Sequence, residues 1–499
     1  MPTPDAYDEE LIAQTRPGGW VNPVPAGRYN LVVVGAGTAG LVSAAGAAGL
    51  GAKVALVEKH RLGGDCLNYG CVPSKALIRC ARAAAEARRA GEFGVAVPGP
   101  VAAAFPAVMR RMRRLRAGIS RHDSAERFRG LGIDVFLGEG RFTGPDSLEV
   151  GGQVLRFARA VIATGARAAV PDLPGLREAG FLTNETVFDL NELPRRLVVL
   201  GAGPIGCEMA QAFARLGSEV HLVNRSPGLL TRDEPEAAAV LRRRFEQDGI
   251  RLHLGVKAVR AETRDGSREL VIEEAGQLVA LEADAILVGV GRQPNVEGLG
   301  LEAAGVAFDP RGVTVNDFLQ TTNPRIYAAG DVCTPYKFTH AADAMARIVL
   351  QNALFFGRKR MSRLVIPWCT YTDPEVAHVG LTAREARERG VAIDTYRVGF
   401  ADVDRAVLDG DTDGFALAHA RRGTGRLVGV TLVSAHAGEM IGEAALAMTA
   451  GLGLGELSRA VHPYPTEAEA LRKLGDAYQR SRLRPWLAGL LRAVLRWRR

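Results

Sequence analysis

Residues 29–34 (YNLVVV) are mostly aliphatic with little alternation, the pattern of a strand buried on both faces of a parallel sheet. The run ends in GAGTAG (35–40) and continues as an alanine-rich stretch to about Leu50, so it reads as strand, glycine turn and helix. KVALVEKH (53–60) predicts a second strand. The same grammar returns further along, where RLVVLGAGPIGCEMA (196–210) leads to EVHLVNRS (219–226). Gly35 to Glu58 and Gly201 to Asn224 span the same interval, which a chance pair of glycine motifs would not reproduce. Both copies predict a dinucleotide-binding α/β unit.

Each glycine in these turns has a physical task. Gly35 and Gly201 permit the tight turn, Gly37 and Gly203 let backbone amides approach a pyrophosphate, and Gly40 and Gly206 let helix and strand pack closely. The copies differ where the ribose is read. Glu58 suits a free 2′-hydroxyl pair, as in the adenosine half of FAD, whereas Asn224 is followed by Arg225 and no acid. A carboxylate would repel a 2′-phosphate, so the second site favours NADPH over NADH, with NADH retained as the alternative.

Leu31–Ala52 is uncharged and long enough for a bilayer, but its glycines and strand-like opening argue against a membrane span. The polar, acidic start lacks a signal-peptide pattern, and six cysteines in 499 residues do not make a disulfide-stapled framework. A cytoplasmic protein is expected. The net charge of +8 raises the question of nucleic acid, yet arginine gathers only at RRMRRLR (110–116) and the C-terminus, with no nucleic-acid motif; 110–116 reads as a solvated helix face.

Two cysteines stand apart from the rest. In GGDCLNYGCVPSK (63–75), Cys66 and Cys71 lie among glycines, Asp65, Asn68 and Pro73, an unsuitable setting for core cysteines. Zinc would need a second pair at matching spacing, and no metal site is expected. The reading that remains is a redox-active disulfide at a helix start, where the helix dipole and Lys75 would stabilise a Cys71 thiolate. Cys80, Cys207, Cys333 and Cys369 are scattered and read as small apolar fillers, and His340 in FTHAAD as structural.

The cysteine segment resembles the active-site segment of the class I pyridine nucleotide-disulfide oxidoreductases, the family of dihydrolipoamide dehydrogenase, glutathione reductase and mercuric reductase. The resemblance runs from about residue 28 to 482. It includes both glycine turns, VIATGA (161–166), LVGVGRQPN (287–295), IYAAGDV (326–332), PWCTYTDPEVAHVGLT (367–382) and HPYPTEAEA (462–470). It implies FAD, an electron path from NADPH through FAD to the Cys66–Cys71 disulfide, and a small thiol, disulfide or other oxidant as substrate. Cys71 would be the flavin-proximal thiol and Cys66 the interchange thiol. Lys75 and Glu208 would be the ion pair beside flavin and nicotinamide, and Asp331 the ligand of the ribityl and phosphate region. Gly165 and Gly291 belong to the matching cofactor-binding segments.

The family pattern breaks near the C-terminus. Its disulfide reductases carry a histidine just before Pro-Thr and a glutamate that orients it. Anchoring on Pro465-Thr466 places Tyr464 and Glu469 at those positions, while a rival register uses His462 with Glu467. Tyrosine, with an unperturbed pKa near 10, is a poor base at neutral pH. Such a tyrosine suits a mercuric reductase-like branch, but no cysteine follows Cys369 to relay mercury and no N-terminal metal-capture domain is seen, so the expectation is that branch without its relay.

The expected fold is two Rossmann-like α/β domains plus a C-terminal α+β dimerisation domain. The divisions are an extension (1–27), an FAD-binding domain (28–170, returning at 296–365), an NAD(P)H-binding domain (171–295), a dimerisation domain (366–482) and a basic tail (483–499). Breaks are read at PDLPGL after Val170 and near Arg292–Pro294. The resemblance implies a homodimer. In the tail, Leu487, Leu490, Leu491, Val494 and Leu495 fall at helical spacing opposite Arg492, Arg496 and Arg499. That stripe reads first as packed on the body, and alternatively as a peripheral contact at the inner face of an anionic membrane, which would suit a redox-sensing flavoprotein acting by binding.

Overall fold

The computed structural model describes residues 5–264, 267–483 and 485–499. It forms two compact units, Met1–Arg225 with Ile250–Leu364, and Ser226–Gly249 with Val365–Arg499.

The first unit holds two mainly parallel sheets. In the larger, the strands lie in the order Asp134–Leu137, Val54–Glu58, Arg28–Val34, Gln153–Ile162, Ser147–Val150 and Gly140–Gly144, with Ile326–Ala328 also pairing in parallel to Gln153–Ile162. Alternate residues of Arg28–Val34 join different cores. Leu31 and Val33 pack with residues of the helices Thr38–Gly49 and Thr339–Leu354, while Val32 and Val34 share a cluster with Phe142 and Phe157. Burial on both faces is why this strand has no polar stripe. The two helices approach closely because small residues line the seam: a Cβ added at Gly46 would lie 2.5 Å from Leu350 Cδ1.

The smaller sheet repeats the design, with parallel strands in the order Arg251–Leu254, Glu219–Asn224, Arg196–Leu200 and Ala285–Val288. An antiparallel sheet of Lys257–Arg264, Ser267–Glu274 and Gln277–Ala283 is inserted into it. The segments read as breaks are ordered where the chain crosses between the two parallel sheets. Ala166–Ala168 pairs antiparallel with Arg292–Pro294, so the outgoing and returning chains brace each other.

The helix Phe105–Ser120 departs from the solvated face expected of RRMRRLR. Arg110 and Arg114 are exposed, but Arg113 and Arg116 are buried, at 8% and 3% exposure. The N-terminal helix Ala6–Thr15 packs across this helix and brings Asp5 and Asp8 to the two guanidinium groups, while Arg113 also donates to Asn191 Oδ1 at 2.8 Å and Arg116 to the Asn68 carbonyl at 2.9 Å.

The second unit is built on an antiparallel sheet in the order Pro367–Thr370, Glu375–Gly380, Leu427–Ser434, Phe415–Arg421 and Ile393–Gly399. Helices Ala437–Thr449 and Glu469–Ser481 share its core. The stretch 226–249 packs with this unit through buried polar contacts. Glu234 Oε1 accepts from the Ala383 N–H at 2.7 Å and lies 3.0 Å from His419 Nε2, and Trp368 Nε1 donates to Asp233 at 2.8 Å. Pro485–Trp497 is a helix; the Leu487 side chain falls outside the described residues.

Candidate active site

The two glycine turns superpose in their constraints. Gly35 and Gly201 adopt φ of +100° and +109°, and a Cβ there would come within 2.4 Å of Ala163 O and 2.5 Å of Gly289 O. At Gly40 and Gly206 an added Cβ would sit 1.8 Å from the carbonyl oxygen of Gly35 and Gly201 respectively. Gly37 and Gly203 are the N-caps of Thr38–Gly49 and Pro204–Leu216, and neither has a side chain to occupy the first helical N–H groups. Each turn therefore offers free amide donors to an anionic diphosphate, which fits FAD at the first and a nicotinamide nucleotide at the second.

Glu58 and Asn224 are equivalent in place and unequal in charge. Glu58 accepts from the N–H groups of Ala36 and His60, each at 2.7 Å, and burial pushes its carboxyl pKa up against those bonds. Asn224 Oδ1 accepts from Ala202 N–H at 3.3 Å, and Arg225 beside it is exposed.

Asp331 follows the strand Ile326–Ala328, at the end of the larger sheet where its glycine turn also lies. Burial raises its pKa, and the nearby Arg292 opposes that. Arg292, half-buried, joins Asp331 at 3.4 Å to Asp65 at 3.1 Å. Gly165 and Gly291 stand at the two chain crossings, their carbonyls accepting from the N–H groups of Asn295 and Ala169, each at 3.0 Å.

Cys66 rides on the short helix Gly64–Asn68, and Cys71 is the first residue of the helix Cys71–Arg89. Both thiols are free. The hydrogen bond from the Cys66 thiol lowers the Cys71 pKa to about 6; the Thr339 hydroxyl and Lys75 assist, while burial and Asp65 oppose. Thr339 Oγ1 lies 3.4 Å from Cys71 Sγ. The same bond to Cys71, with burial, pushes Cys66 up. The arrangement favours the thiolate on Cys71 and the protonated thiol on Cys66. One turn along the helix, Lys75 Nζ meets the buried carboxylate of Glu208 at 2.8 Å.

In the second unit, Tyr464 is 71% exposed and its hydroxyl donates to Asp404 at 2.8 Å. His462 is enclosed, its Nε2 3.1 Å from Glu443. Glu469 bonds Arg472, and Glu467 is paired with His436 at 2.8 Å. His462 and Glu467 therefore each have another partner, and Tyr464 is the titratable residue of the HPYPT segment that faces outward, beside the exposed Pro463.

Sequence reading missed three members of the site. Thr339 reaches Cys71 across 268 residues, from the FTHAAD segment that drew notice only for His340; His340 stacks on Phe338. Arg292 and Asp65 lie inside quoted motifs, but their pairing is a tertiary fact that spacing does not reveal. Cys207 is buried, whereas Cys80, Cys333 and Cys369 are partly buried. Among the described residues, no group of three or more His, Cys, Asp or Glu could hold a metal.

Residues 29–346 match the pyridine nucleotide-disulphide oxidoreductase family, and residues 366–474 match the dimerisation domain of the same family. The chain is 36% identical over 456 residues to a mercuric reductase of Staphylococcus aureus, covering 89% of this chain and 82% of that one. It is 35% identical over 461 residues to a dihydrolipoyl dehydrogenase of Thermus scotoductus, covering 90% and 97%. Among solved structures, the HOCl-induced flavoprotein disulfide reductase RclA of Escherichia coli aligns with a TM-score of 0.80 and 28% identity over 90% of this chain and 99% of that one. The chain belongs to the pyridine nucleotide-disulphide oxidoreductase family. It is a flavoprotein oxidoreductase of the kind that uses FAD and NAD(P)H and acts on sulfur groups.

Proposed function

We propose that this enzyme draws its electrons from NADPH rather than NADH and delivers them through Cys71 and then Cys66 to a small disulfide, thiol adduct or thiolate-bound oxidant. Bound FAD supplies the two-electron link between nicotinamide and the cysteine pair. For a disulfide substrate the net change is loss of hydride from NADPH, uptake of one proton from solvent, cleavage of one S–S bond and formation of two thiols. Cys71 holds the thiolate beside the cofactor, Cys66 carries the proton and meets the substrate, and Lys75 with Glu208 fixes the charge around Cys71. The single observation that carries this reading is the placement of the two thiols, Cys66 on a short helix and Cys71 at the first position of the next, with the Thr339 hydroxyl 3.4 Å from Cys71 Sγ and the Lys75–Glu208 pair one turn along. The working unit is a homodimer in which residues 462–470 of one copy complete the site of the other.

Within the family, Tyr464 in place of the histidine base argues against efficient dihydrolipoyl dehydrogenase chemistry. The lack of cysteine among residues 370–499 argues against a mercury relay. A variant test separates the roles: Cys66→Ser is expected to abolish turnover of disulfides and thiol adducts while NADPH oxidation by quinones or oxygen survives. Unchanged disulfide turnover in Cys66→Ser overturns the assignment.

A second reading concerns the helix Pro485–Trp497, which we infer lies on an anionic membrane surface. Trp486, Leu490, Leu491, Val494, Leu495 and Trp497 are all exposed. Residues 477–499 carry seven arginines and no acid. A helix of 13 residues is about 20 Å long, too short to span a bilayer, and among the described residues no helix is long and apolar enough to cross one. Apolar and aromatic side chains with unopposed arginines suit the headgroup region of anionic lipid. This would give the enzyme a binding role in redox sensing beside its turnover.

A further inference from the structure

The residues before 28 lie outside the family match, which begins at residue 29. They are nonetheless tied to the segment that carries Cys66. At one end of that segment, the Leu62 N–H donates to the Thr15 carbonyl at 3.1 Å, and Arg16 Nη1 donates to the carbonyls of Lys59 and His60, the latter at 2.8 Å. At the other end, Arg116 joins two partners. Its Nη1 donates to the Asn68 carbonyl at 2.9 Å, and its Nη2 meets Asp8 Oδ1 of the N-terminal helix at 2.8 Å. Asn68 closes the short helix of Cys66, its Nδ2 donating to the Leu62 and Gly64 carbonyls at 3.1 and 2.8 Å.

The extension is itself built to hold this position. Asp5 caps the N-terminal helix by accepting from the N–H groups of Tyr7 and Asp8, and Leu11 and Thr15 are buried. Arg113 pairs with Asp5 and Asp8 at 3.7 and 3.5 Å. Arg116 is 3% exposed, so if Asp8 is lost its charge has no solvent to turn to and is drawn toward Asp189, the other carboxylate it acts on. It would then have to move, and the Asn68 carbonyl it holds would be released.

We propose that residues 5–16 are a strap that positions Cys66 against Cys71, with Asp8 the positioning residue acting through Arg116. The strap fixes Leu62 and Asn68, the two ends of the segment that sets the Cys66 thiol beside Cys71, so a change at Asp8 is felt in the titration of a thiol with which Asp8 has no contact. This rests on the reading of Cys66 and Cys71 as the redox pair.

The test uses the full-length FAD enzyme, reduced anaerobically by two electrons, with the long-wavelength thiolate-to-flavin absorbance followed against pH. In Asp8→Ala the midpoint should rise by about half a unit or more, the size expected when a hydrogen bond to a thiolate is weakened. Asp8→Glu should restore much of the wild-type midpoint. Trp20→Phe is the control: Trp20 Nε1 bonds the Val135 carbonyl, so this change loosens the extension away from the Cys66 segment and should leave the midpoint alone. Should Asp8→Ala not fold, Arg16→Gln, at an exposed residue, carries the same prediction. A wild-type midpoint in Asp8→Ala or Arg16→Gln, or an equal shift in Trp20→Phe, overturns the strap. Absence of the band in the wild type removes the redox-pair reading and the strap with it.

Discussion

Tyr464 Oη donates to Asp404 Oδ2 at 2.8 Å, while two residues upstream His462 is held by Glu443 at 3.1 Å. The hydrogen bond to Asp404 raises the tyrosine pKa above its ordinary value, so the exposed residue of this segment is a proton donor and not a base at neutral pH. Tyr464→His should therefore increase disulfide reduction or dihydrolipoamide oxidation by about tenfold or more, part of the roughly hundredfold that a fully positioned base contributes at the low end. The check is steady-state kinetics with flavin content held equal. No gain, together with a loss in His462→Ala, would return the base to His462.

Lys75, paired with Glu208 at 2.8 Å, acts on Cys71 through charge. Lys75 lowers the Cys71 pKa, and its side chain is about one-third exposed, so solvent screens part of the effect. In the reduced wild type, iodoacetamide labelling of Cys71 should rise as pH climbs through about 6 and be lost below it, because only the thiolate reacts. Lys75→Met should move that rise upward by about half to one unit, the effect of removing a partly screened neighbouring charge. Labelling profiles by mass spectrometry decide it, and coincident curves would remove Lys75 from the thiolate's environment.

Asn224 and Arg225 carry the nucleotide prediction. Asn224→Glu should reproduce at the second turn the arrangement of Glu58 at the first, and repel a 2′-phosphate. KM for NADPH should rise by about tenfold, with KM for NADH unchanged or lower. A wild type that already prefers NADH would contradict the proposal before any variant is made.

For the C-terminal helix, the full chain should pellet with vesicles containing phosphatidylglycerol, remain in solution with phosphatidylcholine vesicles, and lose binding on truncation to residues 1–484. Leu490→Glu combined with Leu491→Glu should have the same effect while leaving NADPH oxidation intact. Equal pelleting of full and truncated chains excludes the membrane reading. A shift from dimer to monomer on truncation would assign the apolar face to a second copy.

The parts of this protein that were legible in its sequence are those governed by local rules. Both glycine turns announce themselves because backbone crowding admits no side chain at Gly40 or Gly206, and Arg28–Val34 reads as a buried strand because both of its faces are covered. Cys71 and Lys75 could be placed together since one helical turn separates them. Thr339, Arg292 and Asp65 escaped because their roles arise from contacts between distant segments. The arginines of 110–116 escape for a related reason: helical spacing puts Arg113 and Arg116 on a face, but the N-terminal helix and the distant residues Asn68, Leu190 and Asn191 make that face an interior one. The tail was legible as an amphipathic helix, whereas the exposure of Leu490, Leu491, Val494 and Leu495 is a tertiary fact that helical spacing does not give.

The central claim is that FAD stands between a nicotinamide and a reversible Cys66–Cys71 disulfide. Anaerobic titration of the FAD-loaded dimer with NADPH measures it directly. A long-wavelength absorbance should develop as two electrons enter, vanish in Cys71→Ser and persist in Cys66→Ser. Reduction of the flavin with no such band in the wild type, with Cys66 and Cys71 equally open to alkylation before and after NADPH, would contradict the account.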